Sequence, residues 1–139
     1  MHNLVDRLSG GRLSTSNPRG SRVGVLFLTS TGARSGAPRR NALNYLEDGP
    51  NLLLIASNAG ERSNPGWWHN LRAHPRATVQ VGGETRRVRA RAATDPEADA
   101  AWTRFLASSR QYAEYRRATD RQIPIVVLEP DEGEDAAPA

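Results

Sequence analysis

The apolar positions gather first into three short runs: residues 22–30 (RVGVLFLTS), 40–47 (RNALNYLE) and 51–57 (NLLLIAS). Each has strand length, and none nears the roughly 18 residues that a membrane-spanning helix requires. The DGP turn between the second and third predicts a hairpin. A second hairpin is predicted from residues 77–81, a Gly-Gly turn and residues 84–93, where Val88, Ala90 and Ala92 alternate with Arg87, Arg89 and Arg91. IPIVVLEP (123–130) reads as a final buried strand.

Elsewhere the period is helical. Ala98, Ala101, Trp102, Phe105 and Leu106 form one apolar stripe, with Asp95 as the expected cap and Pro96 beside it. Asn64 is expected to cap a shorter helix with Pro65 in its first position, and Pro75 must stop that helix near His74. Residues 111–122 predict a further helical piece. The pattern predicts an α+β fold built on a small, mostly antiparallel barrel of about six strands with a few short helices. Three regions are expected: an N-terminal arm over 1–22, one cofactor-binding domain over 23–130, and a disordered acidic tail over 131–139.

Composition narrows the chemistry. The 139 residues include no cysteine, so disulfides, thiolate metal sites and a cysteine nucleophile are excluded. All 19 basic residues are arginine, which removes Schiff-base and P-loop lysine chemistry and favours bidentate anion binding. The formal charge is +4; the tail DEGEDAAPA carries four acids, so residues 1–130 stand at +8. That balance favours an anionic partner. The start of the chain lacks the apolar stretch of a signal peptide, which makes a cytoplasmic protein the expectation. The Leu4/Val5/Leu8 stripe is too small to support peripheral membrane contact.

Three segments are candidates for chemistry. Residues 29–45 place Arg34, Arg39 and Arg40 around a Gly/Ser/Thr-rich turn, where backbone N–H groups and guanidinium groups suit a phosphate or carboxylate; a solvated hairpin loop is the competing reading. Residues 57–70 combine small residues, a helix start and the adjacent Trp67 and Trp68. Neighbouring helical residues point about 100° apart, so one tryptophan is expected in the core and the other is available to face a pocket. Tyr112 and Tyr115 share a helix face, where a hydroxyl near a pocket could donate a proton. The three histidines lack ligand spacing, so no metal site is expected. The arginines cluster at loops rather than interleaving with exposed aromatics, so no nucleic-acid partner is expected.

Three motifs then carry a resemblance: LTSTGARSGAPRRNALNYLEDG, IASNAGERSNPGWWHNLRAHPRATVQVGG and YAEYRRATDRQIPIVVLEP. Over Val23 to Pro130 the chain resembles the deazaflavin-dependent nitroreductase and quinone reductase family. The resemblance implies a split β-barrel that binds coenzyme F-420 and passes a hydride to a quinone, nitro compound or similar conjugated acceptor. It implies that Arg34, Ser35 and Arg39, with Arg40 alongside, hold the phosphate and anionic tail. Asn41, Ala42 and Leu43 would line the adjoining strand. Ala56, Ser57, Asn58, Trp67, Trp68 and His69 would lie along the ring. Tyr112 would serve as proton donor, with Tyr115 and Ser109 on the substrate side. Ser109 stands where some members carry a tyrosine, Arg34 where lysine is common, and Asn58 where lysine is frequent. An FMN-dependent reductase on the same barrel, or a non-catalytic deazaflavin-binding protein, is the alternative. Related barrels often pair as homodimers.

Overall fold

The computed structural model describes residues 23–131; the expected arm over 1–22 and most of the expected tail lie outside them. Six strands form a closed antiparallel barrel: β1 (Gly24–Thr31), β2 (Pro38–Asp48), β3 (Asn51–Ile55), β4 (Arg76–Val81), β5 (Glu84–Ala92) and β6 (Ile125–Pro130). Their order around the wall is β1-β2-β3-β6-β5-β4, with β1 pairing β4 to close it. Three helices complete the fold: α1 (Gly66–Ala73), α2 (Asp95–Ser108) and α3 (Arg110–Ala118). Among the described residues no helix is long and apolar enough to cross a membrane.

The pleat explains the two kinds of strand. On β3, Leu52 and Leu54 point into the barrel, while Leu53 and Ile55 point outward under α2 and α3. On β6, Val126 and Leu128 face inward while Ile125 and Val127 face the helices. These strands are buried on both faces and therefore read as unbroken apolar runs. On β5 only Val88 and Ala90 face inward, so polar residues alternate with them. Arg87 and Arg89 are exposed as expected of a solvated face, but Arg91 is tied to Glu97 and Glu129, both at 2.8 Å.

Trp67 and Leu71 of α1 plug one end of the barrel, joining Leu26, Leu28 and Tyr45 in its core. Each fully buried side chain of this kind contributes roughly 1.5–3 kcal/mol. On the outer wall Phe105 and Tyr112 pack between the helices and β3, their rings 5.1 Å apart.

Both helix starts differ from expectation. Asn64 does not cap α1; the helix opens directly after Pro65, and the Asn64 amide oxygen instead accepts from Arg121. Thr94, not Asp95, caps α2, because its hydroxyl and the Glu97 carboxylate reciprocate in a capping box. Asp131, the first residue of the acidic tail, is held on the barrel by its N–H to the Arg87 carbonyl and by an ion pair with Arg76 at 3.5 Å.

Candidate active site

The β1–β2 turn is shaped from within. Gly32 N–H donates to the Ala37 carbonyl at 2.7 Å, and Gly36 N–H donates back to the Gly32 carbonyl at 2.9 Å. The Ser35 hydroxyl accepts from Ala37 N–H at 3.0 Å and from the Arg39 guanidinium at 3.4 Å. A Cβ on Gly32 would meet the Ser35 Oγ at 2.7 Å and the Ala37 carbonyl at 3.1 Å, so any larger residue would displace the Ser35 hydroxyl and press on the turn. Ser35 thereby orients Arg39 as well as lining the turn.

Helix α1 lies opposite this turn, and Asn70 joins the two. Its amide oxygen accepts from Ala33 N–H at 2.9 Å, while its amide nitrogen donates to the buried Ser30 hydroxyl at 3.3 Å. Between turn and helix is a groove of about 720 Å³, lined by Gly32, Arg34, Ser35 and Arg39 on one side and by His69, Asn70 and Arg72 on the other. Three arginines thus line one cavity, a chemistry that suits an anion with several charged oxygens.

One of the two tryptophans is core, and the other lines neither this groove nor the cavity on the outer wall. Trp67 is 6% exposed and belongs to the barrel core. Trp68 is half-buried, with His69 edge-on at 4.9 Å and the Arg72 guanidinium 4.9 Å from its ring centre. It links the groove lining to the core beneath.

The segment after β3 follows an unusual path. Asn58 and Ala59 have φ of 48° and 55°, and Gly60 follows at 80°. Left-handed backbone costs a non-glycine residue roughly 1–2 kcal/mol. Local bonds offset part of that cost: Gly60 N–H to the Ser57 carbonyl at 2.8 Å, and the Asn58 side chain to the Ser63 carbonyl at 3.0 Å. Ala56 is fully buried, with its N–H given to Pro124 and its carbonyl accepting from Arg121. It therefore offers no contact surface to a ligand and serves to position its neighbours.

A second cavity, of about 420 Å³, opens on the outer wall and is lined by Val23, Asn44, Ser108, Ser109, Gln111 and Tyr112. The Asn44 amide donates to the Tyr112 oxygen at 2.9 Å, and the Tyr115 hydroxyl donates to Gln111 at 3.4 Å. Burial pushes the Tyr112 hydroxyl above its ordinary pKa, partly opposed by the bond from Asn44. Ser109 also caps α3 through the Gln111 N–H.

The candidate residues are thus spread over two cavities and a core. Arg34, Ser35, Arg39 and His69 share the groove, while Ser109 and Tyr112 share the outer cavity. Five positions separate Arg39 from Asn44, so they point to opposite faces of β2. Arg40 leaves the groove altogether: its guanidinium stacks 3.9 Å from the centre of the Phe27 ring. Asn41 and Leu43 face the barrel interior and Ala42 its outside. Asn70, Arg72 and Arg121 escape sequence reasoning. Arg72 alone carries a signal, four residues after Trp68 on the helix.

A closed six-stranded antiparallel barrel with an arginine-lined groove at its plugged end defines a split-barrel cofactor-binding protein. The chain belongs to the F420H(2)-dependent quinone reductase family, whose model matches residues 3–130. The likeness therefore includes residues 3–22, which the three motifs leave out. An F420H(2)-dependent quinone reductase of Mycobacterium tuberculosis is 34% identical over 131 residues, covering 92% of this chain and 87% of the relative. The solved structure of an F420-H2 dependent reductase (FDR-A) is 32% identical with a TM-score of 0.69, covering 76% of this chain and 93% of the other. A further structure, described as a domain-swapped dimer, has the same identity and TM-score over 76% of this chain and 79% of its own.

Proposed function

We propose that this protein passes a hydride from reduced coenzyme F-420 to a quinone, with nitro compounds and similar conjugated acceptors as further substrates. The observation that carries the reading is the groove: in a chain of this family, Arg34, Arg39 and Arg72 line one cavity beside a tight turn at Gly32. That donor set suits a ligand bearing a phosphate and several carboxylates.

When bound, the coenzyme supplies the hydride, and the protein supplies position and electrostatics. Arg34 and Arg39 would take the phosphate and the anionic tail, with Ser35 fixing the direction of Arg39. Trp68 and His69 would flank the ring, with Ser57 and Asn58 along its edge. An acceptor reaching from the ring into the outer cavity would meet the Tyr112 oxygen, which already accepts from Asn44 and so has its own hydrogen to direct at an acceptor oxygen as negative charge develops there. Its raised pKa keeps that hydrogen in place across neutral pH. Tyr115 and Ser109 would shape the same wall. A homodimer is supported by the relative described as a domain-swapped dimer.

Tryptophan-fluorescence titration with oxidised coenzyme F-420 and, separately, with FMN tests the reading. Saturable quenching by the deazaflavin alone is the expected result, followed by quinone-dependent oxidation of the reduced form. Saturation by FMN alone would move the protein to flavin chemistry. No binding of either would remove the assigned role of the groove.

A further inference from the structure

Arg121 lies in the connection between α3 and β6, far in sequence from the 56–64 segment. Its guanidinium nevertheless reaches four acceptors on one segment. Nε donates to the Glu61 carbonyl at 2.9 Å, one terminal nitrogen to the Asn64 amide oxygen, and the other to the carbonyls of Ala56 at 3.1 Å and Ser57 at 2.8 Å. Those acceptors bracket the left-handed residues 58–60 on both sides. The Thr119 hydroxyl in turn accepts from the Arg121 N–H at 3.3 Å, which steadies the base of the side chain.

The segment has few other restraints. Ala56 continues the line of β3, but residues 57–64 pair with no strand and contain only a three-residue 3-10 turn. Gly60 sits tightly on α3, where a Cβ would approach Ala118 at 2.9 Å and the Tyr115 backbone at 3.3 Å. A single planar fork that satisfies four acceptors across nine residues fixes their relative positions in a way no single-point contact can. Desolvation alone lowers the pKa of this arginine, and it remains charged.

We propose that Arg121 is a positioning residue for cofactor binding: by holding the Ala56, Ser57, Glu61 and Asn64 acceptors together, it sets the backbone path of residues 56–64 along which the ring lies. The inference rests on the proposed function, which runs the ring along that segment. Arg121 acts through the backbone it holds and takes no part in the chemistry.

The test compares wild type with Arg121→Lys, Arg121→Gln and Asn64→Ala. Lysine keeps the charge but offers one point of attachment, so it should behave like glutamine rather than rescue. Three readouts apply: the dissociation constant for oxidised coenzyme F-420 from tryptophan quenching, amide hydrogen exchange of the cofactor-free protein, and steady-state kinetics with a soluble quinone. Both Arg121 variants should weaken cofactor binding about tenfold or more, the scale at which small misplacements act. Exchange should quicken at residues 57–64 and stay unchanged in β1, β2 and β4. KM for the coenzyme should rise with the dissociation constant, whereas kcat at saturation and KM for the quinone should hold within about threefold. Asn64→Ala removes one acceptor, so its effect should fall in between; it decides the matter should the Arg121 variants not fold. Wild-type affinity in Arg121→Lys, or a loss confined to kcat, would overturn the proposal. Failure of the wild type itself to bind coenzyme F-420 would instead overturn the proposed function.

Discussion

Asn70 allows the geometry of the groove to be separated from its charge. Replacing it with alanine removes both bonds that tie α1 to the β1–β2 turn. Each neutral bond is worth about 1 kcal/mol, and the Ser30 hydroxyl, 2% exposed, loses this partner, so the loss should be about 2 kcal/mol. For a chain of this size that lowers the melting temperature by roughly 6–8 °C. Aspartate behaves differently. Its two oxygens can accept from the Ala33 N–H and the Ser30 hydroxyl, so the clamp survives while a negative charge enters the groove. A carboxylate roughly 7 Å from a bound anion, at an effective dielectric of about 40, repels it by about 1.2 kcal/mol. Asn70→Asp should therefore melt close to wild type yet bind coenzyme F-420 about eightfold more weakly at low salt. Raising salt from about 0.05 to 0.5 M shortens the screening length from roughly 14 to 4 Å and should close most of that gap. Fluorescence titration at both salt concentrations, with differential scanning calorimetry alongside, provides the assay. Wild-type affinity for Asn70→Asp at low salt would refute the anion role of the groove. An unchanged melting temperature for Asn70→Ala would refute the clamp.

The other expectations concern the tryptophans, Tyr112 and the start of α2. Trp67→Ala should cost about 3–5 kcal/mol by calorimetry, since it empties the plug of the barrel; Trp68→Phe should change stability little but abolish most cofactor-dependent quenching. Tyr112→Phe should keep cofactor affinity and lower kcat on quinones by about a hundredfold, measured under single-turnover conditions. A loss smaller than about threefold would assign the proton to solvent. The Arg91 guanidinium and then the Thr94 N–H hold the Glu97 carboxyl at about 2 rather than the ordinary 4.5. The folded value lies below the unfolded one, so this stabilisation is complete above about pH 4.5 and disappears as pH falls toward 2. Melting temperatures of wild type and Glu97→Gln should converge across that window; parallel curves would show that the pair does not act on stability.

The sequence discloses what is local. Leu52 to Ala56 and Ile125 to Leu128 announce buried strands because both of their faces are covered, and Gly32, Ser35 and Gly36 announce a tight turn because its bonds lie within six residues. The helix caps shift by a residue because Thr94 and Asp95 are both competent and only Glu97 decides between them. What sequence reasoning misses is long-range. Asn70 meets a turn 37 residues earlier, and Arg121 meets acceptors 57 to 65 residues away. Neither residue type in its own neighbourhood signals those contacts. Arg40 carries the same charge as Arg39 beside it, and only the pleat sends it outward to Phe27.

The place of β6 in the wall bears on how the molecule is made. It is the last strand in the chain, yet it sits between β3 and β5 rather than at a margin. Until residues 125–130 have left the ribosome, β3 and β5 each present an unpaired edge, and the apolar undersides of α2 and α3 lack Ile125 and Val127 from their floor. The β1–β2 and β4–β5 hairpins can form early because their contacts are local, but the final closure must wait until residues 125–130 have emerged. Translation stalled before β6 should leave an aggregation-prone, protease-sensitive chain, and extending the chain until Pro130 has cleared the ribosome should convert it into a resistant one.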